Sequence, residues 1–249
     1  MTDVKVVPLC AGTALRKRSQ LIADAPPDLF DMPFTMFYVR SRGRHIIVDT
    51  GIADPGETQP HHHPVSRTAD QDPVAALAAI GVDPAEVGTV VNTHLHWDHC
   101  GSNHLFPNAR ILVQRTELCY AVAPAENHVP VYDEVRVEHG RCTSLLPNYL
   151  RARLTPIDGE PDLTDEVRVI QTPGHTPGSQ SVLVAGRETY LLAGDNIPLL
   201  ECVDGPEFRP NVSYTDLDQY LASVRRSREM STVALPSHDA RVFDQAEYR

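Results

Sequence analysis

The chain reads as an α/β protein. Short runs of Val, Ile and Leu alternate with amphipathic helical patterns along its length. Turn-forming Gly, Pro, Asn and Asp punctuate those runs. Histidines and aspartates able to hold a metal fall just past the ends of the apolar runs, where an α/β scaffold usually places its chemistry.

The first clear element is a β-hairpin over 34–48, FTMFYVRSRGRHIIV, with its turn at Ser41-Arg42-Gly43-Arg44. It delivers Asp49-Thr50-Gly51. Residues 53–71 are rich in Pro, Asp and His and predict an irregular surface excursion. A helix should then open with Asp72 as N-cap and Pro73 in its first turn, and stop at Gly81. Thr89 to Thr93 and Arg110 to Val113 predict strands, and Leu118 to Ala123 a helical turn. In the second half, Val167 to Ile170, Gln180 to Val184 and Thr189 to Ala193 predict strands. A helix over Thr215 to Glu229 has Leu217, Leu221 and Val224 as its apolar stripe, with Thr215 and Asp218 as a capping pair. A last short strand over 233–236 leads to Ser237-His238-Asp239.

Composition narrows the role. Lys and Arg number 22 against 33 Asp and Glu, a net charge of −11. That balance disfavours nucleic acid or an anionic membrane as the main partner. No apolar stretch approaches the roughly 20 residues of a transmembrane helix. The N-terminal residues lack the pattern of a signal peptide. The five cysteines are scattered and form no CxxC, so reduced thiols in the cytoplasm are expected. At 249 residues the chain can form one large domain or two small ones.

The chemistry is concentrated in His94-Leu95-His96-Trp97-Asp98-His99. In an extended segment, residues i and i+2 share a side, so His94 and His96 can grip one cation. Asp98 and His99 lie beyond the turn and can reach a second. Imidazole and carboxylate suit Zn²⁺ and similar first-row metals. Three further candidates follow later strands: His175 in TPGHTPG, Asp195 in AGD, and His238 in SHD.

HxHxDH followed by a distant GH, GD and SHD resembles the metallo-beta-lactamase superfamily. The resemblance runs from about residue 34 to His238. It implies one domain over 1–249, a four-layer αββα sandwich. It also implies two divalent metal ions, Zn²⁺ by default: His94, His96 and His175 on the first, Asp98, His99 and His238 on the second, with Asp195 bridging. Asp49, in Val-Asp-Thr-Gly, would buttress the metal loop. Paired cations lower the pKa of a shared water, a route to attack on a carbonyl or phosphorus. Asp98 and Asp195 would be the catalytic carboxylates, with Asp98 passing a proton to the leaving group.

Within that superfamily the layout is similar to the N-acyl homoserine lactone hydrolases, and comparably to other small lactonases. This implies a small lactone or ester substrate. The apolar N-terminal residues could support a homodimer. Those lactonases carry a tyrosine three residues after the bridging aspartate, as donor to the lactone carbonyl. Here that position is Pro198, with Asn196 and Tyr214 as candidate replacements. The apolar stretch Leu29, Phe30, Met32, Pro33, Phe34, Met36 and Phe37 divides between an acyl pocket and ordinary core. His61-His62-His63 predicts an exposed loop. Cys100 is expected to be a small buried thiol, and Trp97 to line the site mouth. Competing roles are hydrolysis of another ester, thioester or phosphodiester, and a metal-binding sensor without turnover.

Overall fold

The computed structural model describes residues 4–58, 62–132, 153–205 and 208–249, with backbone alone at 129, 135–138 and 141–144. A six-stranded sheet has the order β1-β2-β3-β4-β5-β8, formed by Val4–Lys17, Leu29–Ser41, Arg44–Val48, Thr89–Val91, Arg110–Gln114 and Leu154–Ile157. A four-stranded sheet runs β12-β11-β10-β9, from Val233–Leu235, Thr189–Leu192, Gln180–Ala185 and Val167–Gln171. Val135–Glu138 (β6) and Arg141–Ser144 (β7) pair as a separate ribbon. The helices are α1 (Pro55–Thr58), α2 (Pro73–Ala79), α3 (Trp97–Cys100), α4 (Arg115–Val122) and α5 (Leu217–Met230).

Alternating side chains explain the layering. Phe37 and Val39 of β2, Ile46 and Val48 of β3, and Val182 and Val184 of β10 meet in one buried cluster between the two sheets. Their neighbours face outward. Met36, Tyr38 and Ile47 pack under Ala76 and Leu77 of α2. On the far side, Leu183 and Leu191 pack with Tyr220 and Val224 of α5. Helix, sheet, sheet and helix therefore stack as the expected αββα sandwich.

Most predicted elements are present within a residue or two. Asp72 caps α2, accepting from the Val74 and Ala75 amides at 3.0 and 3.1 Å. The hairpin turns on Arg42 and Gly43, both with positive φ. One cap differs. Asp216, not Thr215, accepts from the Gln219 amide at 2.9 Å, and α5 starts at Leu217. Thr215 instead donates its hydroxyl to the Gly174 carbonyl at 3.0 Å, tying the helix start to the His175 loop. Nothing local marks Val4–Lys17 as a strand, because Pro8 and the Ala11-Gly12 pair interrupt its apolar run. An edge strand tolerates both, and the register with β2 slips between Cys10 and Thr13. Residues 53–71 are more than a surface excursion: Thr58 and Val65 are buried. Among the described residues no helix is long and apolar enough to cross a membrane.

Candidate metal centre

Strands β3 and β4 run parallel, and β11 runs parallel to β12. Strand β9 runs the same way as β11, because both are antiparallel to β10. Asp49, His94, His175, Asp195 and His238 all follow the C-terminal ends of these strands. Residues distant in sequence thus converge at one end of the sandwich. Gly194 permits the close approach of the Asp195 turn. Its φ is +55°, and a Cβ there would lie 2.7 Å from the Thr93 side chain.

Hydrogen bonds fix the imidazoles. Nδ1 of His175 donates to the Ser213 carbonyl at 2.7 Å, and Nδ1 of His238 to the Pro33 carbonyl at 2.9 Å. Nδ1 of His99 donates to Asp49 Oδ2 at 2.8 Å. Thr93 donates its hydroxyl to the same Oδ2 at 2.8 Å, so at 3.0 Å it can only accept from Nδ1 of His94. In all four rings the hydrogen bond occupies Nδ1, which leaves Nε2 as the atom able to face a cation. His96 differs: its Nδ1 faces Nε2 of His175 at 3.2 Å. Two imidazole nitrogens at that distance need a proton or a cation between them.

The ligand atoms fall into groups. His94, His96 and His175 form one, and Asp98, His99 and His238 another, each with its atoms within 4.8 Å of one another. These two groups share no residue. Asp195 stands between them. Its Oδ1 lies 3.1 Å from Nε2 of His238 and 3.3 Å from Nε2 of His99, and its Oδ2 lies 3.4 Å from Nε2 of His175. All seven sequence-predicted ligands therefore meet. Nε2 of His94, His96 and His99 and Oδ1 of Asp195 are buried without a hydrogen-bond partner. Such orphans are rare in folded proteins. A nitrogen and carboxylate donor set with unused lone pairs fits divalent cations.

The electrostatics are divided. Burial, then the neighbouring histidines, push His94 and His96 well below the usual histidine pKa. Burial also opposes the charged forms of His99 and His238, yet the nearby carboxylates, Asp195 foremost, with Asp98 beside both and Asp49 beside His99, together outweigh it and hold both above the usual value. Burial opposes the Asp195 carboxylate too, but His238, His99 and His175 keep its pKa well below the carboxylate range.

Two residues support the loops from behind. Asp49 accepts from the Thr93 amide at 2.7 Å as well as from Thr93 Oγ1 and His99. Its φ of 57° is one that Asn also tolerates. An Asp49→Asn variant should therefore keep the backbone while presenting an amide NH₂ to donors. Metal affinity is expected to fall about 10- to 100-fold in a competition titration with a chromophoric chelator. An unchanged affinity would remove the buttress role. Glu117 is the residue that sequence reasoning missed. Fully buried on α4, it accepts from the Leu95 amide at 3.0 Å and the Tyr132 hydroxyl at 3.1 Å through Oε1. Through Oε2 it accepts from the Thr176 hydroxyl at 2.6 Å and the Gly178 amide at 3.3 Å. It joins the His94–His96 loop to the His175 loop. A carboxylate in the first turn of a helix carries no local signal of that task.

A cavity of about 380 Å³ opens above the cluster, floored by His96, Asp98, His175, Asp195 and His238. Trp97 lines it, as expected, and stacks on His62 at 4.2 Å between ring centroids. His62 and His63 line the cavity rather than an open loop, while His61 lies outside the described residues. Of the apolar stretch, Met32 reaches the cavity, whereas Phe34, Met36 and Phe37 are core. Cys100 is half-buried, its thiol 3.5 Å from the Leu95 carbonyl. Pro198 offers no donor, and its carbonyl accepts from the His238 amide at 3.1 Å. Neither suggested replacement serves. Asn196 is buried and donates to Ser227 Oγ at 2.9 Å, and Tyr214 is absent from the cavity lining.

Two facing sheets with helices outside, and paired histidine–aspartate clusters at the strand ends, define an αββα fold built around a two-cation donor set. The chain belongs to the metallo-beta-lactamase superfamily, whose family model matches residues 32–237. It is 31% identical to the N-acyl homoserine lactonase AttM of Rhizobium radiobacter, over 97% of this chain and 92% of the relative. It is 34% identical to the N-acyl homoserine lactonase AttM of Azorhizobium caulinodans, over 94% and 90%. The crystal structure of a quorum-quenching N-acyl homoserine lactone lactonase superposes with a TM-score of 0.76 at 25% identity, covering 97% of this chain and 94% of that one.

Proposed function

We propose that the protein is a dinuclear metal-dependent hydrolase that opens a lactone of the N-acyl homoserine type. The observation that carries this is Asp195, set between two imidazole groups beneath an open cavity, with the buried Nε2 atoms of His94, His96 and His99 lacking hydrogen-bond partners. The similarity to N-acyl homoserine lactonases supports the substrate class. His94, His96 and His175 would hold one cation, Asp98, His99 and His238 the other, with Asp195 shared and Zn²⁺ the expected metal. When bound, the pair supplies Lewis acidity and lowers the pKa of water at the site.

The chain's own residues do the rest. Asp49, the Ser213 carbonyl and the Pro33 carbonyl hold three rings with Nε2 toward the site. Asp98 lines the cavity, with Oδ2 3.8 Å from Nε2 of His238, and is placed to carry a proton to the leaving alkoxide. Trp97, Met32 and Leu21 exclude water from one wall. Metal analysis with a panel of lactones, aryl esters and phosphodiesters tests the reading. Two equivalents of metal and a preference for lactones are expected. Two equivalents without hydrolysis of any member would instead identify a sensor.

A further inference from the structure

Arg16 lies on β1, held in register opposite Phe30 of β2, and lines the cavity above the candidate metal centre. Its Nε is buried and has no hydrogen-bond partner. Among the described residues its guanidinium joins no ion pair. Asp98 is the one carboxylate whose charge supports it, while burial works against the charge. Arg18, two residues on, shows what a committed arginine looks like here: it pairs with Asp28 and Glu201 and lies over the Phe30 ring.

A guanidinium stays charged in any protein setting. Partial desolvation without a partner is costly, and a charge-assisted contact with an anion recovers that cost. The other polar residues of the wall, Gln20, Asn211 and Ser213, are neutral, and burial keeps His63 below its usual pKa. None of them supplies a negative charge. An uncharged acyl chain would cover Arg16 and leave it unpaired.

We propose that Arg16 is a specificity residue that binds a carboxylate carried by the substrate, so that the preferred lactone or ester is anionic rather than a simple fatty-acyl one. This rests on the hydrolase reading above and sharpens its substrate class.

The test uses the metal-loaded enzyme with two matched substrates, N-hexanoyl homoserine lactone and its adipoyl counterpart, which ends in a carboxylate. Wild type is expected to favour the adipoyl lactone by about tenfold or more in kcat/KM, the scale of one charge-assisted contact. Arg16→Met should bring that ratio to near one, with the change in KM, and Arg16→Lys should restore part of it. A wild-type ratio near one, or an Arg16→Met variant that slows both substrates equally, overturns the inference. Calorimetric binding of the two ring-opened acids separates it from the lactonase reading. If neither lactone is opened but wild type binds the adipoyl acid more tightly and Arg16→Met does not, Arg16 keeps its role and the lactone assignment falls. No discrimination in either assay overturns the role of Arg16.

Discussion

Asp195→Ala is expected to lower kcat/KM for a lactone by about a thousandfold or more and to reduce bound metal from two equivalents toward one or fewer. Metal-ion activation is worth several kcal/mol of barrier, and each 1.36 kcal/mol is a factor of ten. The geometry makes Asp195 the one carboxylate shared by both imidazole groups, within 3.1 to 3.4 Å of three Nε2 atoms. Its loss also removes the largest of the charges that hold His99 and His238 above the usual histidine pKa. Five imidazoles would then crowd one buried site with Asp98 the only carboxylate left among the candidate ligands. Elemental analysis of the purified variant, alongside initial rates, reads both effects. Two equivalents of metal with near wild-type turnover would place the shared site elsewhere.

Glu117→Ala is expected to cost about 3 kcal/mol or more of stability. It strands the Leu95 and Gly178 amides and the Tyr132 hydroxyl, each costing about 1 kcal/mol or more when buried without a partner, while the Thr176 hydroxyl keeps Ser179 Oγ at 2.7 Å. At this chain length that lowers the unfolding midpoint by about 6–12 °C. Glu117→Gln separates support from folding. Glutamine keeps the shape and one acceptor but turns an NH₂ toward donors. The Thr176 hydroxyl can rotate to accept from it; the Leu95 and Gly178 amides cannot. The Gln variant should fold yet bind its first metal about tenfold or more weakly, because the His94–His96 and His175 loops lose their common anchor. Thermal unfolding with metal titration distinguishes the two effects. A Gln variant with unchanged metal affinity would reduce Glu117 to a packing residue.

Much of the site was legible in the sequence. HLHWDH after an apolar strand, with His175, Asp195 and His238 after three later strands, names every metal-ligand candidate that the fold brings together among the described residues. The local signals worked because each ligand follows a strand end and because side chains in strands alternate. They failed where the partner lies far along the chain. The pattern points to Thr215 as the cap, but its hydroxyl is engaged by the Gly174 carbonyl and Asp216 caps the helix instead. Pro8 and Gly12 conceal a 14-residue edge strand whose stability comes from pairing with β2.

The sequence by itself determined the α/β class, the αββα family resemblance and the identity of the seven candidate ligands, because those depend on residue types and short spacings. Only the tertiary structure decided which lone pairs face the site. A ring's tautomer is set by carbonyls and carboxylates from other strands, such as Pro33 for His238 and Asp49 for His99. Tertiary structure alone also decided that Glu117 ties two loops together, that His62 and His63 line the cavity, and that Arg16 stands there with its Nε unpartnered among the described residues. Long-range burial and pairing have no period that a sequence can display.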